Sequence, residues 1–204
     1  MLFKVASASL TGIEAELVEV EVDVFRGLPG LILVGLPDAS IRESRERVRA
    51  ALMNCGYDFP RKKLIINLAP ADRRKEGSSF DVPIAVGILA HQGVFPVSRI
   101  SDYLFMGELA LDGHLKPVKG VLSAVFLAQQ EGFKGLVIPR GNLEEASLVS
   151  GIASYGFTSL GEIIDFLRDP EEFSPASSFF HHLSQDIKYS VDFQDVRGQH
   201  QAKR

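Results

Sequence analysis

Hydrophobic and polar residues alternate along the first third of the chain, and the period then lengthens to that of helices. Phe3 to Leu10 alternates and predicts a strand, closed by a turn at Thr11-Gly12. From Ile13 to Phe25, Leu17, Val18, Val20, Val22 and Val24 stand against Glu14, Glu16, Glu19, Glu21 and Asp23. That pattern predicts a half-buried strand with an acidic, solvated outer face. Gly27-Leu28-Pro29-Gly30 turns the chain into a third strand, Leu31 to Leu36. A helix is predicted from Pro37-Asp38-Ala39-Ser40, with Asp38 as N-cap and Ile41, Val48, Ala51 and Leu52 as its apolar stripe. Its other face is rich in arginine, and Gly56 stops it.

Lys63 to Leu68 reads as a buried strand and Phe80 to His91 as an apolar helix, with Pro83 tolerated in the first turn. Between them lies a polar loop ending in Gly77-Ser78-Ser79. A helix start of this kind gathers unpaired N–H groups and can hold an anion or an activated hydroxyl. Short strands are predicted over Tyr103 to Leu111 around Gly107-Glu108, with Asp112-Gly113 as a hairpin turn. A helix over Val118 to Gln130, a buried strand over Gly135 to Pro139 and a short helix capped by Asn142 follow. A last strand, Ile152 to Tyr155, and a last helix, Leu160 to Leu167, complete the pattern. From Pro170 to Ser190 there is no clean period, which reads as a linker. Strands first, then helix alternating with strand, predict an α+β (α/β sandwich) fold with helices on one face of the sheet.

Composition narrows the function classes. The chain has 204 residues, 46% of them hydrophobic, enough for one sizeable domain with a tail. The formal net charge of −4 argues against a protein coated in nucleic acid, but the charge is uneven. Residues 42–75 carry ten Arg/Lys and four acids, a net of +6, so the remainder carries −10. Such asymmetry can mark an anionic partner or only a solvated helix face. Cys55 is the sole cysteine, which excludes an intrachain disulfide and fits a reducing cytoplasm, where the protein is expected. No stretch has the length and apolarity of a membrane span, and no signal peptide is evident, so no membrane partner is expected.

Most chemistry-bearing motifs are missing. No Gly-x-x-x-x-Gly-Lys-Ser/Thr loop occurs, and Gly27, Gly30 and Gly35 lack dinucleotide-fingerprint spacing. The histidines (His91, His114, His181, His182 and His200) form no metal-ligand pattern, so no metal site is predicted. Glu108 and Asp112 alone do not make an acid/base pair. Ser78 and Ser79 remain, with Lys75, Lys116 and Lys119 as candidate bases. The competing reading is that the two serines cap the helix beginning near Phe80.

Several segments together resemble the N-terminal domain of the ComM/YifB family of magnesium-chelatase-like AAA+ ATPases. They are Val34-Gly35-Leu36-Pro37-Asp38, Glu43 to Ala51, Asn67-Leu68-Ala69-Pro70-Ala71-Asp72, Lys75-Glu76-Gly77, Phe80-Asp81-Val82-Pro83-Ile84-Ala85, Gly107-Glu108-Leu109, Asp112-Gly113 and Pro117-Val118-Lys119-Gly120-Val121. The resemblance runs over residues 1 to about 168 and implies a ribosomal-protein-S5 domain-2-like fold, similar to the proteolytic domain of Lon. In that comparison Ser79 takes the nucleophile position and Leu122 the position of the catalytic lysine. A leucine cannot take a proton, so the resemblance implies no catalytic residue in this domain. Phe193-Gln194-Asp195-Val196-Arg197-Gly198-Gln199 resembles the segment that opens AAA+ modules, where Val196 and Gly198 would lie beside the adenine of ATP. The implied division is a Lon-like domain over 1–168, a linker over 169–190 and the start of a AAA+ module over 191–204.

The resemblance implies no cofactor for these residues, and ATP with magnesium for a longer protein working as a homo-hexamer on DNA. It further implies branch migration during natural transformation. Three roles are open for the domain. It assists the ring by oligomerising or guiding DNA, with Arg42, Arg45, Arg49, Arg61, Lys62, Lys63, Arg73, Arg74 and Lys75 as candidate phosphate contacts. It is a serine peptidase using Ser79. Or it is a structural adaptor for other proteins. Metal insertion into porphyrin rests on the family's name alone.

Overall fold

The computed structural model describes residues 2–176. The expected linker beyond Ala176, and Val196 and Gly198 with it, lie outside the described residues. Seven strands form one sheet: β1 (Phe3–Thr11), β2 (Glu14–Phe25), β3 (Gly30–Val34), β4 (Lys63–Ala69), β5 (Tyr103–Phe105), β8 (Gly135–Pro139) and β9 (Ala153–Phe157). A separate ribbon pairs β6 (Glu108–Leu109) with β7 (Leu115–Lys116). The helices are α1 (Ala39–Asn54), α2 (Asp81–His91), α3 (Val121–Gln130), α4 (Leu143–Ala146) and α5 (Leu160–Arg168).

The strand order is β3-β4-β2-β1-β5-β8-β9. The early hairpin sets the antiparallel part: β2 pairs with β1, Val5 opposite Val20, and with β4, Val22 opposite Ile66. All other neighbours in the sheet are parallel. This is the mixed α/β sandwich expected, with one correction. Helices cover both faces, not one. Phe3, Val5, Val20 and Val22 face α1, α2 and α5, whereas Ala8, Leu104, Leu136 and Ile138 face α3 and α4. The period-2 pattern permits this, because β5 and β8 are apolar on both sides and need cover on both.

Helix starts match the sequence in part. Asp38 caps α1, accepting the Ile41 N–H at 2.8 Å, and Pro83 sits in the first turn of α2. Asn142 does not cap α4. Its amide instead accepts the Val118 N–H (2.9 Å) and donates to the Val118 carbonyl (2.8 Å), clamping the approach to α3. The helix predicted from Val118 begins only at Val121, because Gly120 turns there at φ 81°. The end of β3 is tightly built. A Cβ on Gly35 would meet the Leu68 carbonyl oxygen at 2.3 Å. The next residue, Leu36, is held at φ 55°, a left-handed conformation that costs a non-glycine residue about 1–2 kcal/mol.

Candidate functional site

The loop between β4 and α2 folds back on the β3–α1 connection. The Lys75 N–H donates to the Leu36 carbonyl (3.2 Å) and the Asp38 N–H to the Lys75 carbonyl (3.1 Å). The Asp38 carboxylate, already the cap of α1, also accepts the Gly77 N–H at 3.1 Å. This stitching sets Ser78 and Ser79 in the wall of a cleft of about 540 Å³ that also takes in Asp38, Glu108 and Lys119. The sequence-predicted serines and one of their candidate bases thus share a cavity.

The cleft is not wired as a nucleophile site. The Ser78 hydroxyl donates to Glu108, whose carboxylate also lies 3.8 Å from the Lys116 ammonium. Neither serine caps α2. The cap position is Phe80, with no side-chain bond. Nor is the start of α2 open to an external anion. The Asp81 N–H donates to the Ser78 carbonyl (3.3 Å) and the Val82 N–H to the Gly107 carbonyl (3.0 Å), and the next residue is proline. The anion at this helix start is the protein's own Asp81. Leu122, at the lysine position of the resemblance, is half-buried on α3, and its N–H donates to Glu145 at 2.9 Å. Among the described residues no group of three or more potential metal ligands occurs.

The buried polar centre lies beneath the cleft and was missed from sequence. Asp81 is fully buried and accepts from the Arg47 Nε at 2.7 Å, an Arg47 terminal nitrogen at 3.0 Å, the Leu109 N–H at 3.1 Å and the Ser44 hydroxyl. Burial pushes its carboxyl up from the ordinary value, while Arg47, Ser44 and the Leu109 N–H pull it back. The Asp81 partnership in turn raises Arg47. The network ties α1, α2 and β6 together. One signal was available: Ser44 interrupts the apolar stripe between Ile41 and Val48, and Asp81 opens a helix otherwise apolar through Ala90.

The predicted phosphate contacts divide. Arg42 and Arg74 border one hollow of about 610 Å³, and Arg45, Arg49 and Arg61 border another of about 290 Å³, both beside β3. Arg42, Arg45, Arg49, Arg61, Lys62, Arg73 and Arg74 are exposed, and Lys63 is half-buried on β4. Several are engaged: Arg42 with the Pro37 carbonyl, Arg45 with Glu46, Arg49 over the Phe59 ring and Arg73 with Glu16. Lys75 is a correction. It is 1% exposed, and its ammonium donates to the carbonyls of Pro70 and Arg73 (2.8 Å for the latter), so it braces the loop and offers nothing to a phosphate.

Burial holds the Lys75 ammonium below the ordinary lysine value. Such a lysine binds fewer protons folded than unfolded, so its contribution to stability grows with pH, from the depressed value up to about 10.4. The urea-unfolding free energy of wild type minus that of Lys75→Met is therefore expected to increase from neutral pH to about pH 10. A flat difference would count against the buried, charged assignment.

Comparison with known proteins fits this scaffold. The family model for subunit ChlI of magnesium chelatase matches residues 20–142, which run from the middle of β2 through β8 and include the whole loop between β4 and α2. The chain belongs to this family. Within it the chain is 41% identical to the competence protein ComM of Haemophilus influenzae over 202 residues, 98% of the chain and 40% of that protein. It is 38% identical to YifB of Escherichia coli over 196 residues, 95% of the chain and 37% of that protein. A peroxisomal Lon protease homologue of Caenorhabditis elegans is 32% identical over 80 residues, 39% of the chain and 10% of that protein. The chain thus spans about two fifths of the length of the ComM and YifB relatives. The magnesium-chelatase family is one of AAA+ proteins, and the relation to ComM and YifB places this chain among them. No helix among the described residues is long and apolar enough to cross a membrane.

Proposed function

We propose that this chain is a non-proteolytic accessory domain of a AAA+ ATPase, serving the assembly of its ring. One observation carries the reading. Ser78 and Ser79 line the cleft, but at the position that the Lon resemblance gives to the catalytic lysine the chain has Leu122, half-buried with its N–H on Glu145. Nucleophile and base act as a unit, and without the base a serine hydroxyl stays protonated and inert. Lys119 lines the same cleft, but three residues from Leu122 and ahead of the helix. Incubation with a fluorophosphonate probe is expected to leave Ser79 unlabelled. Labelling that Ser79→Ala abolishes would replace the accessory reading with a serine peptidase.

ATP and magnesium belong, on this reading, to a AAA+ module of a longer protein, and work on DNA with branch migration is what the family resemblance implies for that protein, one relative of which is a competence protein. A second reading, DNA guidance by the domain itself, is favoured by the alignment of Arg42, Arg45 and Arg49 on one face of α1. The experiment that follows separates the two.

A further inference from the structure

The two ends of the seven-stranded sheet carry opposite charge, and one of them is an edge with no partner strand among the described residues. At the first end stands β3. The Gly30 N–H donates to the Lys62 carbonyl at 3.3 Å, so the alternation of the parallel ladder turns the peptide groups of Leu31 and Leu33 away from β4. Ile32 (43% exposed), Val34 (40%) and Leu36 (55%) stand out on the far side of this strand from the α1 core. Leu36 is held there in its left-handed conformation. A free strand edge with exposed aliphatic side chains is a surface that proteins ordinarily cover or blunt. Alongside it runs α1, whose Arg42, Arg45 and Arg49 recur at helical spacing on one exposed face and border the two hollows against β3.

At the other end stands β9. Residues 144–172 hold seven acids and one arginine, a net of −6, opposite in sign to the exposed Arg42, Arg45 and Arg49 of α1. Glu144, Asp165, Asp169, Glu171 and Glu172 are exposed. After α5 the chain turns at Pro170–Glu172, stacks Phe173 on Phe157 and Phe166, and runs beside β9, where the Ala176 N–H donates to the Ser154 carbonyl at 2.8 Å. The acidic turn is therefore fixed at the β9 end by packing. The edge strands β3 and β9 stand about 30 Å apart across seven strands, and α1 and α5 lie on the same face of the sheet, joined through the β6–β7 turn, where Gly113 lies against Cys55 and its carbonyl accepts the Leu160 N–H at 2.9 Å. On the opposite face, Ile32 and Val34 at one end have an exposed aliphatic counterpart at the other, Leu148, which follows α4.

We infer that the β3–α1 edge of one copy receives the α5–β9 end of a second copy, arginines on carboxylates and aliphatic on aliphatic, head to tail. The inference rests on the assembly reading above and names its contact. Two different surfaces of one chain that fit each other make a heterologous contact, which closes into a ring when the rotation permits. Matching charge on the same sheet face fixes the polarity of the contact. A flipped copy would set like charge against like.

The test uses the 204-residue chain and two variants, Arg45→Ala/Arg49→Ala and Glu171→Ala/Glu172→Ala, in sedimentation velocity over a concentration series at low and high salt. The wild-type chain is expected to self-associate, more weakly as salt rises. Each variant alone should associate at least about tenfold more weakly. The equimolar mixture should form a one-to-one dimer and nothing larger, because one native contact remains between the two variants and the return contact is lost. That dimer also shows that both variants are folded. Association unchanged in both variants overturns this contact and leaves assembly through another surface standing. A wild-type chain that stays monomeric throughout overturns the contact and the assembly role together. Loss of duplex-DNA mobility shift in the arginine variant, with self-association unchanged, overturns it in favour of DNA guidance.

Discussion

Arg47→Met is expected to destabilise the domain by about 3–5 kcal/mol, the usual cost of removing one partner from a buried ion pair. The reason is Asp81, which has no exposed surface and would keep a carboxylate with its principal counter-charge gone. Met matches the aliphatic stem of arginine, so lost packing contributes little. Urea unfolding of the wild-type and variant chains measures the effect directly. Adding Asp81→Asn should recover part of the loss, since a neutral amide still accepts the Leu109 N–H without needing a cation. A single variant within about 1 kcal/mol of wild type would mean that Arg47 does not neutralise Asp81. Because the pair ties α1, which carries the arginine stripe, to α2, which begins at the cleft, its loss should loosen both surfaces at once.

Phe166→Ala should cost a similar amount, about 3–5 kcal/mol for an excised core phenylalanine. Phe166 is fully buried, with ring centroids 5.0 Å from Tyr103, 4.6 Å from Tyr155, 5.2 Å from Phe157 and 5.6 Å from Phe173. No single neighbour can fill the void without leaving another of these contacts. Phe166→Leu keeps much of the volume and should lose less than half as much in the same measurement. A loss below about 1 kcal/mol for the alanine variant would show that the cluster collapses freely. The cluster also fixes Phe173 and with it the acidic turn. Self-association of the chain should therefore fall with stability in Phe166→Ala.

Particular residues show how far the sequence could be read. Alternation in Val18, Val20 and Val22 identified a strand and its buried side, because a strand's side chains point alternately and only one face of β2 meets α2. Asp38 was legible as a cap because the cap is a local contact three residues long. Asn142 was misjudged for the complementary reason. Its residue type suits a cap, but Val118, 24 residues away, presents a better-placed N–H and carbonyl. Lys75 was misjudged in the same way. Three consecutive basic residues look alike in sequence, yet the loop turns Arg73 and Arg74 outward and folds Lys75 back onto its own carbonyls.

The sequence by itself determined the strands and most helices, the serine pair at the mouth of α2, and a basic stretch within an acidic chain. These are properties of residue type and short spacing, and they survive without knowledge of neighbours. The tertiary structure decided the rest. Arg47 and Asp81 lie 34 residues apart and become partners only when α1 and α2 pack. Helices on both sheet faces follow from which strands lie in the middle, a matter of pairing order. The basic and acidic stretches come to opposite ends of the sheet only because β3 and β9 are its edges, and a charge pattern becomes a surface only once the chain has been laid across the sheet in that order.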